Sequence, residues 1–429
     1  MSDRTKRVVL VMDYGDIRGG LEKVCIESAL ALKETGKEVV FFCGVAPVDK
    51  RLEEAGISVT CLGVQDIGSD RSKLRAAATG LWNVAAAREL DRVIRDTDDL
   101  DGTVVHIHGW TKSLSSAIGQ IVTAPDIRHV FTMHEYFFAC PNGGFYDYQA
   151  NEICQRPALG LGCLTTNCDV RHPLHKGYRM LRQVVQKGRG GLPPRVRNII
   201  YISELQKEVM QPYFPASTVF RQVANPAVSH KRSPVQVAGN KEFYFVGRLV
   251  ESKGALEFAL AARDAGIPAV FVGDGPLRGA IEAANPSATI LGWQNASEVM
   301  EHLHRARALV FPSKWYECQP LVPIEAQALG IPVICGNWCA ARESVAHEET
   351  GLHIRSLDEN GGFQDALARL SSAEYAAQLG RAAYERYWSD PLTMKRHLDR
   401  LLSAYEQIRT RQEMDDDCLT DGTVQASQS

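Results

Sequence analysis

Ser313-Lys314-Trp315-Tyr316-Glu317-Cys318-Gln319-Pro320-Leu321-Val322-Pro323-Ile324-Glu325-Ala326 lies between two short apolar runs, 308–311 and 331–335. This pattern predicts a strand, a loop, a helix and a second strand. Pro320 and Pro323 suit the first helical turn, where a missing N–H costs little, and would break a helix further in. Glu317 is therefore placed on the loop at the helix mouth and Glu325 inside the helix, with seven residues between them. Free backbone N–H groups at such a mouth attract phosphate, and two nearby carboxylates can hold sugar hydroxyls.

Working outward, the same alternation of strand and helix runs through the chain, which predicts an α/β protein with parallel sheets wrapped in helices. In the first half, strands are expected at 7–12, 38–43, 103–108, 129–133 and 199–202, with a helix over 19–33. The pattern restarts at 243–246 and continues through 269–272, 289–291, 309–311 and 332–335. A chain of 429 residues is too long for one core. The expected divisions are a first domain over 1–215 with an insertion at 135–197, a Pro- and Ser-rich linker at 216–240, and a second domain over 241–380. A helical stretch follows at 381–411, interrupted by Pro391, and then a polar tail at 412–429 expected to be disordered.

A hydrophobic share of 45% and a charged share of 23% are those of an ordinary soluble globular chain. The net charge of −3 excludes a protein built to coat nucleic acid. Residues 1–7 are polar and lack the shape of a signal peptide, and no apolar run has membrane-spanning length. A cytoplasmic protein with reduced thiols is expected, although the chain carries eleven cysteines.

Three further segments bear on a nucleotide ligand. Gly247-Arg248 ends a strand and is followed by Lys253, so two cations stand where they can neutralise two phosphates. Gly273-Asp274-Gly275-Pro276 makes a second glycine turn at a strand end. In the first half, Gly19 and Gly20 open a helix after the first strand, but they do not form Gly-x-Gly-x-x-Gly, which argues against a dinucleotide oxidoreductase. His134 follows the strand ending at Met133, where a neutral imidazole can bond a sugar hydroxyl; His108 has a similar position. Ligands of open parallel sheets bind beyond the carboxyl ends of strands, where all these segments fall. Each alone is usually only a turn or a solvated face; their combination and order carry the signal.

Together these residues resemble glycosyltransferase family 4, over roughly residues 8–408. The resemblance implies two Rossmann-like domains facing across a cleft, the GT-B architecture. It also implies a retaining transfer of sugar from a nucleotide-diphosphate donor to a saccharide or lipid-linked acceptor, in surface polysaccharide or lipopolysaccharide synthesis. By that resemblance Glu317 contacts the donor sugar and Glu325 the ribose. Arg248 and Lys253 hold the diphosphate, Gly19 and Gly20 form the glycine loop, and His134 lies near the transferred sugar. Asn225-Pro226 makes the turn into the second domain, and the kinked C-terminal helix crosses back onto the first. Where the family often has Phe-Gly, this chain has Gln319-Pro320. Proline donates no N–H, so Gln319, Leu321 and Val322 would supply the phosphate contacts, beside Gly247 and Gly273. The leaving diphosphate would itself help deprotonate the acceptor. No Asp-x-Asp motif stands at a strand end, so no metal or other cofactor is expected in catalysis. Two other readings are a nucleotide-sugar epimerase of the same fold, which would need acid–base residues in the cleft, and a catalytically silent scaffold, which the intact Arg248, Lys253, Glu317 and Glu325 set argues against.

Two features lie outside these motifs. Cys140, Cys154, Cys163 and Cys168 follow one another with thirteen, eight and four residues between them. They can form a structural tetrahedral zinc site, with His172 or His175 as substitutes, or stand as free thiols in a packed loop. Residues 170–203 carry eight Lys and Arg and no acidic residue, with Leu174, Tyr178, Leu181, Val184 and Val185 interleaved at helical spacing. This segment can meet an anionic membrane, placing the protein peripherally on the inner face of the plasma membrane, or form a solvated helix with one buried side.

Overall fold

The computed structural model describes residues 5–228, 230–358 and 362–426. Its first sheet contains β1 (Arg7–Tyr14), β2 (Glu38–Val45), β3 (Ser58–Cys61), β4 (Thr103–Ile107) and β5 (His129–Thr132). After an antiparallel hairpin of β6 (Tyr146–Asp147) and β7 (Glu152–Ile153), β8 (Asn198–Tyr201) and β9 (Val219–Gln222) complete it. The seven strands run in the order β3-β2-β1-β4-β5-β8-β9 and pair in parallel. The second sheet holds β10 (Glu242–Val246), β11 (Ala269–Val272), β12 (Thr289–Gly292), β13 (Ala306–Phe311), β14 (Val333–Gly336) and β15 (Gly351–Ile354). Its order is β12-β11-β10-β13-β14-β15, again all parallel.

The continuous apolar run of β1 is explained by cover on both faces. Val8, Leu10 and Met12 point to Cys25, Ile26, Ala29 and Leu32 of the helix Gly20–Glu34. Val9 and Val11 point the other way, to Ala86, Leu90, Val93 and Ile94. The chain leaves the second domain through the helix Ala373–Ser389, breaks at Asp390-Pro391, and restarts at Met394. Leu401, Ala404, Tyr405 and Ile408 then pack on the first sheet beside Val8, Leu10 and Val130.

Two expectations are corrected. The stretch 216–240 is not wholly linker: β9 lies in it and pairs with β8 at the sheet edge. Four residues, Val-Phe-Arg-Gln, are too few to show a period in a Pro- and Ser-rich window, so the neighbouring strand decides their conformation. The tail expected to be disordered from 412 continues as helix to Ala426: no proline interrupts the run already begun at Met394, and Gln412, Glu413 and Met414 are good helix formers at the point of extension. Residues 427–429 lie outside the described residues.

The domains touch directly. Tyr316 and Cys318 of the second pack on the core of the first, near Tyr136. Glu343 caps the first-domain helix Glu204–Met210, accepting from Glu204 N at 2.9 Å and Leu205 N at 2.8 Å. Arg342 Nη2 lies 3.2 Å from Glu208 Oε2 beside it.

Candidate active site

Strands β10 and β11 end in glycines because their backbones converge. A Cβ on Gly273, whose φ is +144°, would sit 1.9 Å from Gly247 O. Gly254, at φ +70°, would bring a Cβ within 2.2 Å of Pro312 O, so the turn after β10 and the start of the 313–320 loop can meet only through glycine. That closeness sets Lys253 against Glu317: Lys253 Nζ donates to Glu317 Oε1, and Ser313 Oγ donates to the same oxygen at 2.7 Å. Trp315 lies with its ring centroid 5.2 Å from Lys253 Nζ. Trp338 Nε1 donates to Ser313 O at 2.7 Å and pins the loop. Arg248 is exposed, and its guanidinium has no carboxylate partner among the described residues.

The helix Leu321–Ala328 starts after Pro320, as its prolines dictate, and leaves the N–H groups of Leu321 and Val322 without intrahelical acceptors. The Gln319 side chain is committed elsewhere: it accepts from Asn225 N at 2.7 Å and donates to Asn225 O at 3.1 Å, clamping the Asn225-Pro226 turn. Only its backbone remains for a ligand. Glu325 is half-buried in the helix, and burial pushes its carboxyl above the ordinary value, partly offset by Lys23 from the helix Gly20–Glu34 of the other domain.

Opposite lies a cavity of about 510 Å³, measured out to its open mouth, lined by Asp13, Glu22, Lys112, His134, Phe137 and Phe138 among others. Gly19 and Gly20 stand at the mouth of the helix that carries Glu22, and a Cβ on Gly20 would meet nothing within 4 Å. Asp13, at the end of β1, accepts from Ser113 N at 2.7 Å and Lys112 N at 3.0 Å and so shapes the loop after β4. His134 is not alone. Its Nε2 lies 3.0 Å from His108 Nδ1, the two rings stack at 5.3 Å, and the His106 ring lies tilted against His108 with centroids 4.0 Å apart. His106 is held by Tyr405 Oη of the C-terminal helix at 2.7 Å and Thr132 Oγ1 at 2.6 Å. Burial, and secondarily the nearby His397, pull His134 down to about 3. Burial holds His106 and His108 well below the ordinary imidazole value, so this stack is neutral near pH 7. A neutral imidazole offers one donor and one acceptor, which suits a hydroxyl better than a phosphate.

The structure thus brings Lys253, Glu317, Gly247 and Gly273 together and places His134 in a separate first-domain cavity. Sequence reasoning missed Trp315, although it lies inside the quoted motif, and Asp13, whose position at a strand end was its only signal. It also missed that the insertion reaches the donor side: a Cβ on Gly144 would lie 3.3 Å from the Trp315 ring.

The four-cysteine zinc site is not formed. Among the described residues no three His, Cys, Asp or Glu side chains are placed to hold a metal ion. Cys168 and Cys163 instead face the Lys176 ammonium, at 2.9 and 3.6 Å, and Cys154 Sγ lies 3.6 Å from Arg156 Nη1. Four thiols with no close pair in sequence have no local constraint that brings them onto one point, and here tertiary packing does not either.

Comparison with known proteins bears on this geometry. Residues 18–219 match Glycosyltransferase Family 4, and residues 229–386 match Glycosyl transferases group 1. Over 169 residues the chain is 30% identical to a GDP-mannose-dependent alpha-mannosyltransferase of Mycobacterium tuberculosis, covering 39% of this chain and 43% of that protein. It is 31% identical to an Escherichia coli UDP-Gal:alpha-D-GlcNAc-diphosphoundecaprenol alpha-1,3-galactosyltransferase over 34% of this chain and 41% of that one. The chain therefore spans about two fifths of each of these two relatives. The structure of Anabaena HepE in complex with UDP superposes with a TM-score of 0.61 at 14% identity, over 94% of this chain and 100% of that one. The paired family matches and the two facing parallel-sheet domains lead to one conclusion: this chain belongs to the group 1, family 4 glycosyltransferases and has the GT-B fold.

Proposed function

We propose that this protein is a retaining glycosyltransferase that moves a sugar from a nucleotide-diphosphate donor to a lipid-linked saccharide at an anionic membrane surface. The observation that carries the transfer is the Lys253–Glu317–Ser313 cluster at glycine-lined strand ends, with Arg248 following one of those glycines and having no carboxylate partner among the described residues. Arg248 and Lys253 would stabilise the charge that develops on the leaving diphosphate, an electrostatic contribution fixed before reaction begins. Binding of the donor would take Lys253 from Glu317 and free that carboxylate for sugar hydroxyls. The Leu321 and Val322 N–H groups would add to the phosphate side, Glu325 would hold the ribose, and His134 would bond the transferred sugar. The acceptor would enter the first-domain cavity. The similarity to a relative that acts on a diphosphoundecaprenol substrate supports a lipid-linked acceptor.

The helix Pro173–Gly188 supports the membrane reading. Gln183 and Gln186 turn inward beside Lys176 and Met180, where Gln183 Nε2 donates to Phe138 O at 2.8 Å and Gln186 Nε2 to Phe137 O at 2.9 Å. Three of its apolar residues turn outward: Leu174 is 78% exposed, with Leu181 and Val184 also exposed. Leu161, Leu164 and Val170 in the preceding segment are exposed too, among basic Arg171, Lys187 and Arg189. Water does not reward such an arrangement, whereas an anionic lipid surface rewards both halves of it. No described helix is long and apolar enough to cross a membrane, so contact would be peripheral.

A panel of nucleotide sugars with the purified protein, with and without lipid extract, tests this reading. Anomeric configuration would be read on the product. Transfer to lipid from one donor with retention is expected; inversion, or turnover of a donor to its epimer without acceptor, would overturn it.

A further inference from the structure

Lys176 is buried at 5% exposure, yet among the described residues it has no carboxylate partner. The nearby Asp169 is paired with Arg179 at 3.1 Å. A buried ammonium without a counter-charge is costly, so the groups around it must meet that charge. Those groups are sulfur: Cys168 Sγ at 2.9 Å and Cys163 Sγ at 3.6 Å. Burial pulls Lys176 down, but the hydrogen bond to Cys168 and the electrostatic influence of the neighbouring Cys168, Cys163 and Cys140 sulfurs more than offset it and leave its pKa above the ordinary lysine value. Cys168 Sγ takes a second donor, Asn142 Nδ2 at 3.1 Å, which also holds Cys168 O at 2.9 Å. A sulfur held by an ammonium and an amide, with a second thiol on the same ammonium, has the make-up of a reactive cysteine beside its resolving partner. Both cysteines are buried, while Leu164, Thr165, Asn167 and Val170 beside them in sequence are exposed.

We infer that Cys168 and Cys163 form a dithiol site that a small peroxide oxidises reversibly, with Lys176 and Asn142 activating Cys168. The Cys168 sulfur attacks one peroxide oxygen; the O–O bond breaks, water leaves and a sulfenic acid forms. The Cys163 sulfur then attacks the Cys168 sulfur; the S–S bond forms, the S–O bond breaks and a second water leaves. Two thiols and one hydrogen peroxide give one disulfide and two waters. The disulfide takes the sulfur away from the ammonium and leaves Lys176 buried without a partner. The insertion is then expected to loosen where Cys168 O accepts from Tyr148 N at 3.4 Å. This site does not depend on the donor-site assignment above.

The test is peptide mass mapping of the full chain after brief hydrogen peroxide treatment at neutral pH, followed by denaturing alkylation. A Cys163–Cys168 peptide lighter by two hydrogens and restored by dithiothreitol is expected, while the fully buried Cys25, Cys43 and Cys335 remain alkylatable. Lys176→Met should slow oxidation of Cys168 by on the order of tenfold. Cys163→Ser, which leaves the lysine untouched, should accumulate a sulfenic acid at Cys168 that dimedone traps; this reading survives if Lys176→Met does not fold. Unmodified Cys163 and Cys168 at peroxide levels that oxidise free glutathione would overturn the inference. So would equal oxidation rates with and without Lys176, or a stoichiometric metal on these thiols in the purified protein.

Discussion

Arg248 and Lys253 carry the same charge in the same cleft, yet their substitutions should behave differently. Arg248 is exposed and has no carboxylate partner among the described residues, so Arg248→Ala should leave stability within about 0.5 kcal/mol and lower kcat by about 10²–10³-fold. Lys253→Ala should lose comparable activity and also a few kcal/mol of stability, because it strands the buried Glu317 carboxylate. Adding Glu317→Gln to Lys253→Ala should recover the stability but not the activity. Denaturant melts and donor turnover on the three proteins separate these effects, and full activity in both single variants would undo the site. The imidazoles give a second expectation at this scale. His129 and His134 are each pulled down to about 3 by burial, and His106 and His108 lie well below the ordinary value. The unfolded chain therefore binds protons near pH 6.5 that the folded protein refuses. The stability contributed by neutral imidazoles is complete above that pH and falls as pH drops toward 3, by up to about 1.4 kcal/mol per pH unit for each ring. Urea melts at pH 7 and 5.5 should show the loss, and equal midpoints would contradict it.

Secondary structure was legible where one element's own residues decide it. Pro320 and Pro323 place the helix start, and the apolar runs place most strands, because a strand covered on both faces must be apolar throughout. The orientation of the helix Pro173–Gly188 was not legible. Its interleaved apolar residues fit either a face turned to lipid or one buried side; Gln183 and Gln186 find backbone carbonyls at 137–138 that only tertiary structure brings near, and they take the inner face. Replacing Leu174, Leu181 and Val184 together with Gln should therefore leave the melting temperature nearly unchanged, since these side chains are already exposed. It should abolish co-flotation with anionic liposomes. Unaltered flotation would remove this helix from the membrane reading.

Across the whole molecule, the C-terminal helix ties the second domain back to the first. Leu401 and Ile408 are 1% exposed among first-sheet residues, and Tyr405 holds His106 beneath the His108–His134 pair. Leu401→Ala with Ile408→Ala should cost about 2–5 kcal/mol for each truncation if the two sites act independently. Most of that loss should appear as early exchange of β1 and β4 amides by hydrogen–deuterium exchange. Loss confined to the second domain would show that the helix does not brace the first sheet.

By itself the sequence determined the parallel α/β plan, the glycine-bearing strand ends, and the order of the candidate site residues Gly19-Gly20, His134, Arg248, Lys253, Glu317, Glu325. These follow from periodicity, proline position and glycine placement, which act over a few residues. Only the tertiary structure decided that Glu317 pairs with Lys253, that His134 leans on His108, that β9 joins the first sheet, and that Lys176 faces thiols rather than a carboxylate. Each of those choices is made between groups distant along the chain, where a buried charge or polar atom takes whichever partner packing supplies, and no local pattern names that partner.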